Sequence, residues 1–325
     1  MTAIAVKNLK KYYRIFHKDP GLRGSLKALF KREYEDVRAV DDISFSIAEG
    51  ELVGFIGPNG AGKTTTLKCL SGLLYPNAGE ISVLGHTPQE RENEFKKKIA
   101  LVMGQRNQLW WDLPAQETFL LNKEIYEVPD EQYHETISEL IRLLEIEDIM
   151  DIQVRKLSLG QRMKCELAAS LLHRPQVLFL DEPTIGLDVV MQKKVRDFLK
   201  EYNRRHKATI ILTSHYMEDV KDLCKRVIMI DKGKLAFDGE VAKLIERHAP
   251  YKILEVTFNR PVEKDKLAPI GKVVEAEGFR AVIQVPRHDA PAKAAELLAQ
   301  FPVDDLNIDE PRLEDIIRKL FANQK

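Results

Sequence analysis

The sequence predicts an α/β fold built on a buried, mostly parallel sheet, and three stretches carry that expectation. The apolar run Leu52-Val53-Gly54-Phe55-Ile56 passes straight into a glycine-rich loop and then a helical run over 64–74. The run Val177-Leu178-Phe179-Leu180 is uninterrupted and ends in Asp181 and Glu182. The run Thr209-Ile210-Ile211-Leu212-Thr213 ends in Ser214 and His215. Continuous apolar runs of this length, rather than alternating ones, belong to strands covered on both faces. Each carries its polar residues at the C-terminal end, the edge at which open α/β sheets bind ligands.

The loop after the first run comes earliest in the chain and is the most specific. Gly57, Pro58, Asn59, Gly60, Ala61, Gly62, Lys63 and Thr64 fit G-x-x-x-x-G-K-[ST] at every fixed position. Its glycines let backbone N–H groups close around α- and β-phosphates, and the helix opened by Thr64 and Thr65 adds a partial positive charge. Lys63 is placed to reach the β- and γ-phosphates, and Thr64 to offer its hydroxyl to Mg²⁺. The strand–loop–helix context therefore predicts binding of a nucleoside triphosphate.

Composition narrows the setting. Among 325 residues, Lys+Arg and Asp+Glu both number 50, so no global charge draws the chain to nucleic acid or anionic lipid. No apolar stretch approaches the ~20 residues that cross a bilayer, and the N-terminus lacks a signal-peptide core. Cys69, Cys165 and Cys224 stand far apart without metal-ligand spacing, and read as buried free thiols of a reducing compartment. A soluble chain is expected, with any membrane role exercised through partners.

Downstream, the buried run ending at Leu180 places two carboxylates at the site. Asp181 suits Mg²⁺ through water, and Glu182 is placed to take a proton from an attacking water as general base. Leu157-Ser158-Leu159-Gly160-Gln161 contains a capping box, Ser158 with Gln161, that opens a helix running through Leu167 to His173. A helix start exposing Ser158 and Gly160 is also a phosphate site.

At this point the residues resemble the ATP-binding cassette (ABC) family, whose signature usually reads LSGGQ. This chain departs from it at Leu159 and keeps the backbone role of Gly160. The resemblance implies further roles in the family's order. Gln105, after the run 99–103, matches the Q-loop that touches Mg²⁺ and the lytic water. Gly186-Leu187-Asp188 matches the D-loop, and His215 the switch histidine at the γ-phosphate. Tyr13 matches the aromatic that stacks on adenine, with Tyr12 one register away as the competing choice. The resemblance covers residues 4–244. The implied cofactors are ATP and Mg²⁺, and the implied catalytic residues are Glu182, His215 and Gln105.

The remaining segments fall around that core. Runs 4–13, 40–47 and 80–84 read as strands of an antiparallel β-subdomain. Tyr133, Ile137, Leu140, Ile141 and Leu144 recur at helical spacing and mark an α-helical subdomain beside the RecA-like core. Segment 231–239 reads as a hairpin. An insert at 14–38 sets Leu22, Leu26, Leu29 and Phe30 on one helical face among Arg23, Lys27, Lys31 and Arg32. Two readings of it stay open: a surface element packed on the cassette, or a basic amphipathic helix at a membrane surface or permease. Residues 1–248 are assigned to the nucleotide-binding domain. Residues 249–325 are assigned to a small α+β accessory domain, with strands at 252–258, 281–285 and 306–308 and helices at 292–300 and from Leu313 to Phe321.

In this family two cassettes enclose ATP between one phosphate loop and the other signature, so the chain is expected to act as a homodimer or with a paired ABC ATPase subunit. Integral-membrane permease subunits of ABC-2 type are implied as partners, with no nucleic acid. Leu109-Trp110-Trp111-Asp112-Leu113-Pro114 falls where the resemblance places the permease groove, and the paired tryptophans fit either a core or that interface. The implied function is a Mg-dependent ATPase powering an exporter from the cytoplasmic face of the cell membrane. The competing readings are a soluble ABC ATPase acting on ribosomes or DNA, and an importer ATPase.

Overall fold

The computed structural model describes residues 1–17, 33–104 and 107–322, and it divides the chain into two compact units, Met1–Gly239 and Glu240–Lys325. The strands of the first unit are β1 (Thr2–His17), β2 (Glu33–Ala48), β3 (Leu52–Ile56), β4 (Ala78–Val83), β5 (Ile99–Met103), β6 (Val177–Asp181), β7 (Thr209–Thr213), β8 (Arg226–Asp231) and β9 (Lys234–Glu240).

Six of them form the main sheet in the order β5-β6-β7-β3-β8-β9, parallel from β5 through to β8. Phe55, Ile56, Leu178, Phe179, Leu180, Ile210, Ile211 and Leu212 are wholly buried, as continuous apolar strands between two layers must be. The order positions the site. The chain leaves β3 for the far edge at β5, returns through β6 and β7, and crosses to β8 on the other side of β3. The loops that follow β3, β5, β6 and β7 therefore open side by side at one end of the sheet.

The antiparallel sheet has the order β2-β1-β4. Its Ile4, Leu9, Ile43 and Ile47 share one core with Phe55 of β3, Phe179 of β6 and Leu67 of the helix Lys63–Leu70. That helix ends earlier than the run 64–74 suggests. Gly72 sits at φ +75, where a Cβ would lie 2.3 Å from the Pro88 carbonyl, and such a left-handed glycine closes a helix. Helices Ala115–Ile125, Asp130–Leu144 and Leu159–Leu171 supply the helical subdomain, burying Phe119, Leu140, Leu144 and Leu167.

The flanks of the insert correct the sequence reading. β1 continues past Tyr13 to His17, and β2 begins at Glu33, with His17 opposite Glu33 and Tyr13 opposite Val37. Tyr13 opposite Val37 is an aromatic–β-branched pair of the kind that favours a ladder. The helical face Leu22, Leu26, Leu29 and Phe30 lies outside the described residues.

The second unit carries an antiparallel sheet, β11-β12-β10-β13, made of β10 (Tyr251–Phe258), β11 (Lys272–Glu277), β12 (Arg280–Pro286) and β13 (Val303–Asp309). Leu254, Val256, Phe258, Ile283 and Val285 bury one face against Leu297 of the helix Ala290–Gln300. β11 escapes a sequence reading because it half-buries only Val273 and Ala276, and pairing with β12 across Gly278 decides it. The structure divides the chain at Gly239 and Glu240, whereas the sequence reading placed the division after residue 248. Helix Val241–His248 packs with the last helix, Leu313–Ala322.

Candidate nucleotide site

The phosphate loop is shaped by contacts that exclude side chains. At Gly57 a Cβ would lie 2.2 Å from the Ile230 carbonyl, and at Gly62 (φ +105) the same distance from the Ala39 carbonyl. Only glycine fits such approaches, and the loop is wedged between β8 and β2. Ala61 is buried and donates its N–H to the Pro58 carbonyl, while Asn59 and Gly60 form the exposed crown of the loop. Lys63 is 6% exposed and its ammonium donates to the carbonyls of Gly57 (2.7 Å) and Pro58 (3.1 Å). Burial pulls its pKa down, opposed by the carboxylates of Glu182 and Asp181. Thr65 is half-buried in the first turn of the helix.

Beside the loop, Thr64 Oγ1 donates to Asp181 Oδ2 at 2.7 Å, and Thr213 Oγ1 donates to Asp181 Oδ1 at 2.7 Å. Both oxygens of Asp181 are thus oriented. The Glu182 N–H donates to the carbonyl (3.1 Å) and hydroxyl (3.0 Å) of Thr213, and its backbone stands at φ +57. Its carboxylate Oε1 lies 2.7 Å from His215 Nε2. The structure thus joins Thr64 to Asp181 and Glu182 to His215 across three strand ends. Gly104, beyond β5, lies where a Cβ would be 2.1 Å from the Glu182 carbonyl, so glycine lets that strand end close on the site. The sequence reading passed over Thr213 and Gly104, although each directly precedes a singled-out segment, Ser214-His215 and Gln105. Gln105 itself lies outside the described residues.

The signature residues have contacts of their own. Ser158 accepts from the Gln161 N–H (3.2 Å), and Gln161 Oε1 accepts from the Ser158 N–H (2.9 Å), the reciprocal capping box. Gly160 packs toward Met191, where a Cβ would lie 2.8 Å from Cγ, and Leu159 Cδ2 lies 2.9 Å from a Cβ built on Gly186. The departure from LSGGQ therefore covers the D-loop glycine. Asp188 is exposed and caps the helix Val189–His206 through the Met191 N–H at 2.8 Å.

The two tyrosines differ in environment. Tyr12 donates its hydroxyl to Asp41 (3.0 Å) under the Arg38 guanidinium, whereas Tyr13 is 38% exposed beside Lys11.

A glycine cradle, an oriented Thr–Asp pair and a Glu–His pair at the end of a parallel sheet, flanked by a helical subdomain with a capped signature, define an ABC-type ATPase domain. The comparisons agree. A family profile described as "ABC transporter" matches residues 40–185, and one described as "EvrA-like ABC transporter, C-terminal domain" matches residues 250–309. The chain is 34% identical over 249 residues to the Nod factor export ATP-binding protein I of Burkholderia pseudomallei, covering 76% of this chain and 81% of that protein. It is 35% identical over 217 residues to the ABC transporter ATP-binding protein NatA of Bacillus subtilis, covering 67% and 88%. A solved ATP-binding subunit of an ABC transporter superposes with a TM-score of 0.62 at 22% identity, covering 75% of this chain and 92% of that one. A dimeric bacterial ABC transporter cassette gives 0.60 at 25%, covering 73% and 98%. The chain belongs to the ABC transporter ATP-binding proteins and is an ABC ATPase. Among the described residues, no helix is long and apolar enough to cross a membrane.

Proposed function

We propose that this chain is the ATP-hydrolysing subunit of an ABC-2 type exporter, working as a dimer at the cytoplasmic face of the membrane beneath separate permease subunits. The observation that carries the hydrolytic part is the Glu182–His215 pair, 2.7 Å apart, beside the phosphate loop. Glu182 takes the proton of the attacking water, and His215 Nε2 holds the carboxylate in the direction that task needs. Lys63 and the loop N–H groups hold the phosphates. Tyr13, the more exposed tyrosine, receives adenine. The oxygens of Thr64 and Asp181 are a hard-donor pair of the kind Mg²⁺ takes alongside phosphate oxygens, so these residues would hold it. Held there, Mg²⁺ would supply charge neutralisation for the phosphates. Ser158, Gly160 and Gln161 complete the partner's site, and Asp188 lies at the same face. Export, rather than import or action on ribosomes or DNA, is supported by the relative named for Nod factor export.

The permease surface in this reading is the segment after the Q-loop. Trp110 and Trp111 are 57% and 49% exposed, with Leu113, Leu120, Leu121 and Ile125 exposed nearby. A cavity of about 570 Å³ lined by Leu73, Leu101, Met103, Gln108, Ile125 and Tyr126 adjoins this ridge at Ile125. Exposed apolar ridges of this kind mark interaction sites, and a short helix at the cytoplasmic end of a permease suits this one.

The test of the hydrolytic reading is Glu182→Gln. The amide conserves size while removing the proton acceptor, so ATP binding should persist and turnover fall at least a hundredfold. Near-normal turnover by the purified variant would remove Glu182 from the base role.

A further inference from the structure

We infer that Asp219 is a positioning residue that locks the loop carrying Glu182 to the loop carrying His215, and so sets the geometry of the hydrolytic pair. The inference rests on the reading of those two residues given above. The ladder between β6 and β7 ends with Asp181 opposite Thr213. Beyond that pair both segments have turned into loops, and Thr184 from one and Ser214 from the other converge on one carboxylate. Thr184 Oγ1, two residues past Glu182, donates to Asp219 Oδ2 at 2.6 Å. Ser214 Oγ, directly before His215, donates to the same oxygen at 2.6 Å. Arg196 Nη1, on the helix that follows the D-loop, donates to Oδ1 at 2.9 Å.

Every member of this network is buried: Asp219 is 0% exposed, Thr184 1%, Ser214 2% and Arg196 5%. A buried carboxylate with one cation and two hydroxyl donors is a directional joint, because displacing any donor leaves a buried charge short of a hydrogen bond in low dielectric. The joint reaches further. Ser214 Oγ also accepts the Tyr216 N–H (3.0 Å), fixing the backbone on both sides of His215. The Thr184 carbonyl accepts the Leu187 N–H (3.2 Å), and the Gln192 side chain donates to the Leu187 carbonyl (3.1 Å), so the D-loop hangs from the same frame. Arg196 Nε lies 3.2 Å from Asp222 Oδ2 on the other side of the cation, an ion-pair contact without a hydrogen bond. None of Thr184, Ser214, Arg196 or Asp219 belongs to the residues that bond to the phosphate loop. Their effect on turnover passes through Glu182, His215 and Asp188.

The test uses the full chain and removes each hydroxyl alone. Thr184→Val and Ser214→Ala keep the buried ion pair Arg196–Asp219, whereas Asp219→Asn puts the fold itself at risk. Each should lower kcat about tenfold, the weight of one hydrogen bond to a buried charge, with KM for ATP moving less than about twofold. The double variant should lose little more than the worse single, since either break unties the same joint. Thr184→Ser, which restores the donor, should recover kcat. Unchanged kcat in both single variants, with Glu182→Gln inactive in parallel, would overturn the joint and leave the base assignment standing. A fall in kcat that only tracks a fall in thermal midpoint, without rescue by Thr184→Ser, would also overturn it. Normal turnover by Glu182→Gln would remove the base assignment, and the joint with it.

Discussion

Burial moves two neighbouring titrations in opposite directions. Glu166, 3% exposed on the signature helix, is pushed up to about 7 by burial, with the Gln108 N–H (3.3 Å) and Arg162 pulling the other way. His173, stacked on Tyr126 at 3.8 Å, is pulled down to about 4 by burial, opposed by the Ile99 carbonyl. A carboxyl with a raised folded pKa contributes stability that is full below its unfolded value and lost as pH rises through about 7. A histidine with a depressed folded pKa contributes stability present above its unfolded value and lost as pH falls through about 4. Between roughly pH 4.5 and 6.5 the two slopes oppose each other, and above that window Glu166 acts alone. Glu166→Gln keeps an acceptor for Gln108 without the charge. Its thermal midpoint should therefore gain on the parent from pH 5 to pH 8, by an amount equivalent to at most about 3 kcal/mol. A midpoint difference that stays flat with pH would show that Glu166 is not protonated in the fold.

The segment between the Q-loop and the helix Ala115–Ile125 shows how one element is tied down while its apolar side stays open. Arg162 of the signature helix lies 5.4 Å over the Trp111 ring, Arg155 donates its N–H to the Trp111 carbonyl (3.0 Å), and its guanidinium pairs with Asp112 at 3.1 Å. Paired tryptophans in a sequence are compatible with either core or interface. Here both are about half exposed, so truncation removes contact surface rather than core. Trp110→Ala should keep thermal stability and ATP binding, and weaken permease association by about thirtyfold, the weight of an aromatic anchor. Co-purification of the membrane subunit with full-length variant and parent measures this. Undiminished association would move the docking surface elsewhere. The signature helix has a second fastening in its capping box, whose two hydrogen bonds hold Ser158 at the helix start.

At the scale of the whole molecule the second unit has its own sheet and core, and the residues assigned to ATP all precede it. Two such units on paired cassettes would hold the subunits near each other after ATP is spent, through raised effective concentration. The place to separate them is Gly239. A cut at Ala249 would leave helix Val241–His248 without Leu313–Ala322, exposing Leu244, which is 0% exposed in the intact chain. A chain ending at Gly239 should bind ATP as the parent does and dimerise less, and one ending at Ala249 should aggregate more than either. Nucleotide affinity and sedimentation of the two truncations check this. Lost affinity in a folded chain ending at Gly239 would make the second unit part of the catalytic machinery.

By itself the sequence singled out the glycine loop, the two carboxylates that end β6, the capping box at Ser158 and the histidine that follows β7. These were legible because each follows a continuous apolar strand or opens a helix, and their residue types are dictated by phosphate, metal and proton. Tertiary structure decided what depends on partners distant in the chain. The extension of β1 to His17 and the existence of β11 follow from cross-strand pairing, which local pattern does not carry. The exposure of Trp110 follows from what packs nearby. The convergence of Thr184, Ser214 and Arg196 on Asp219 needs strand order to bring two loops side by side. Each of those residues taken singly is an ordinary polar side chain, and only burial around one carboxylate makes them a joint.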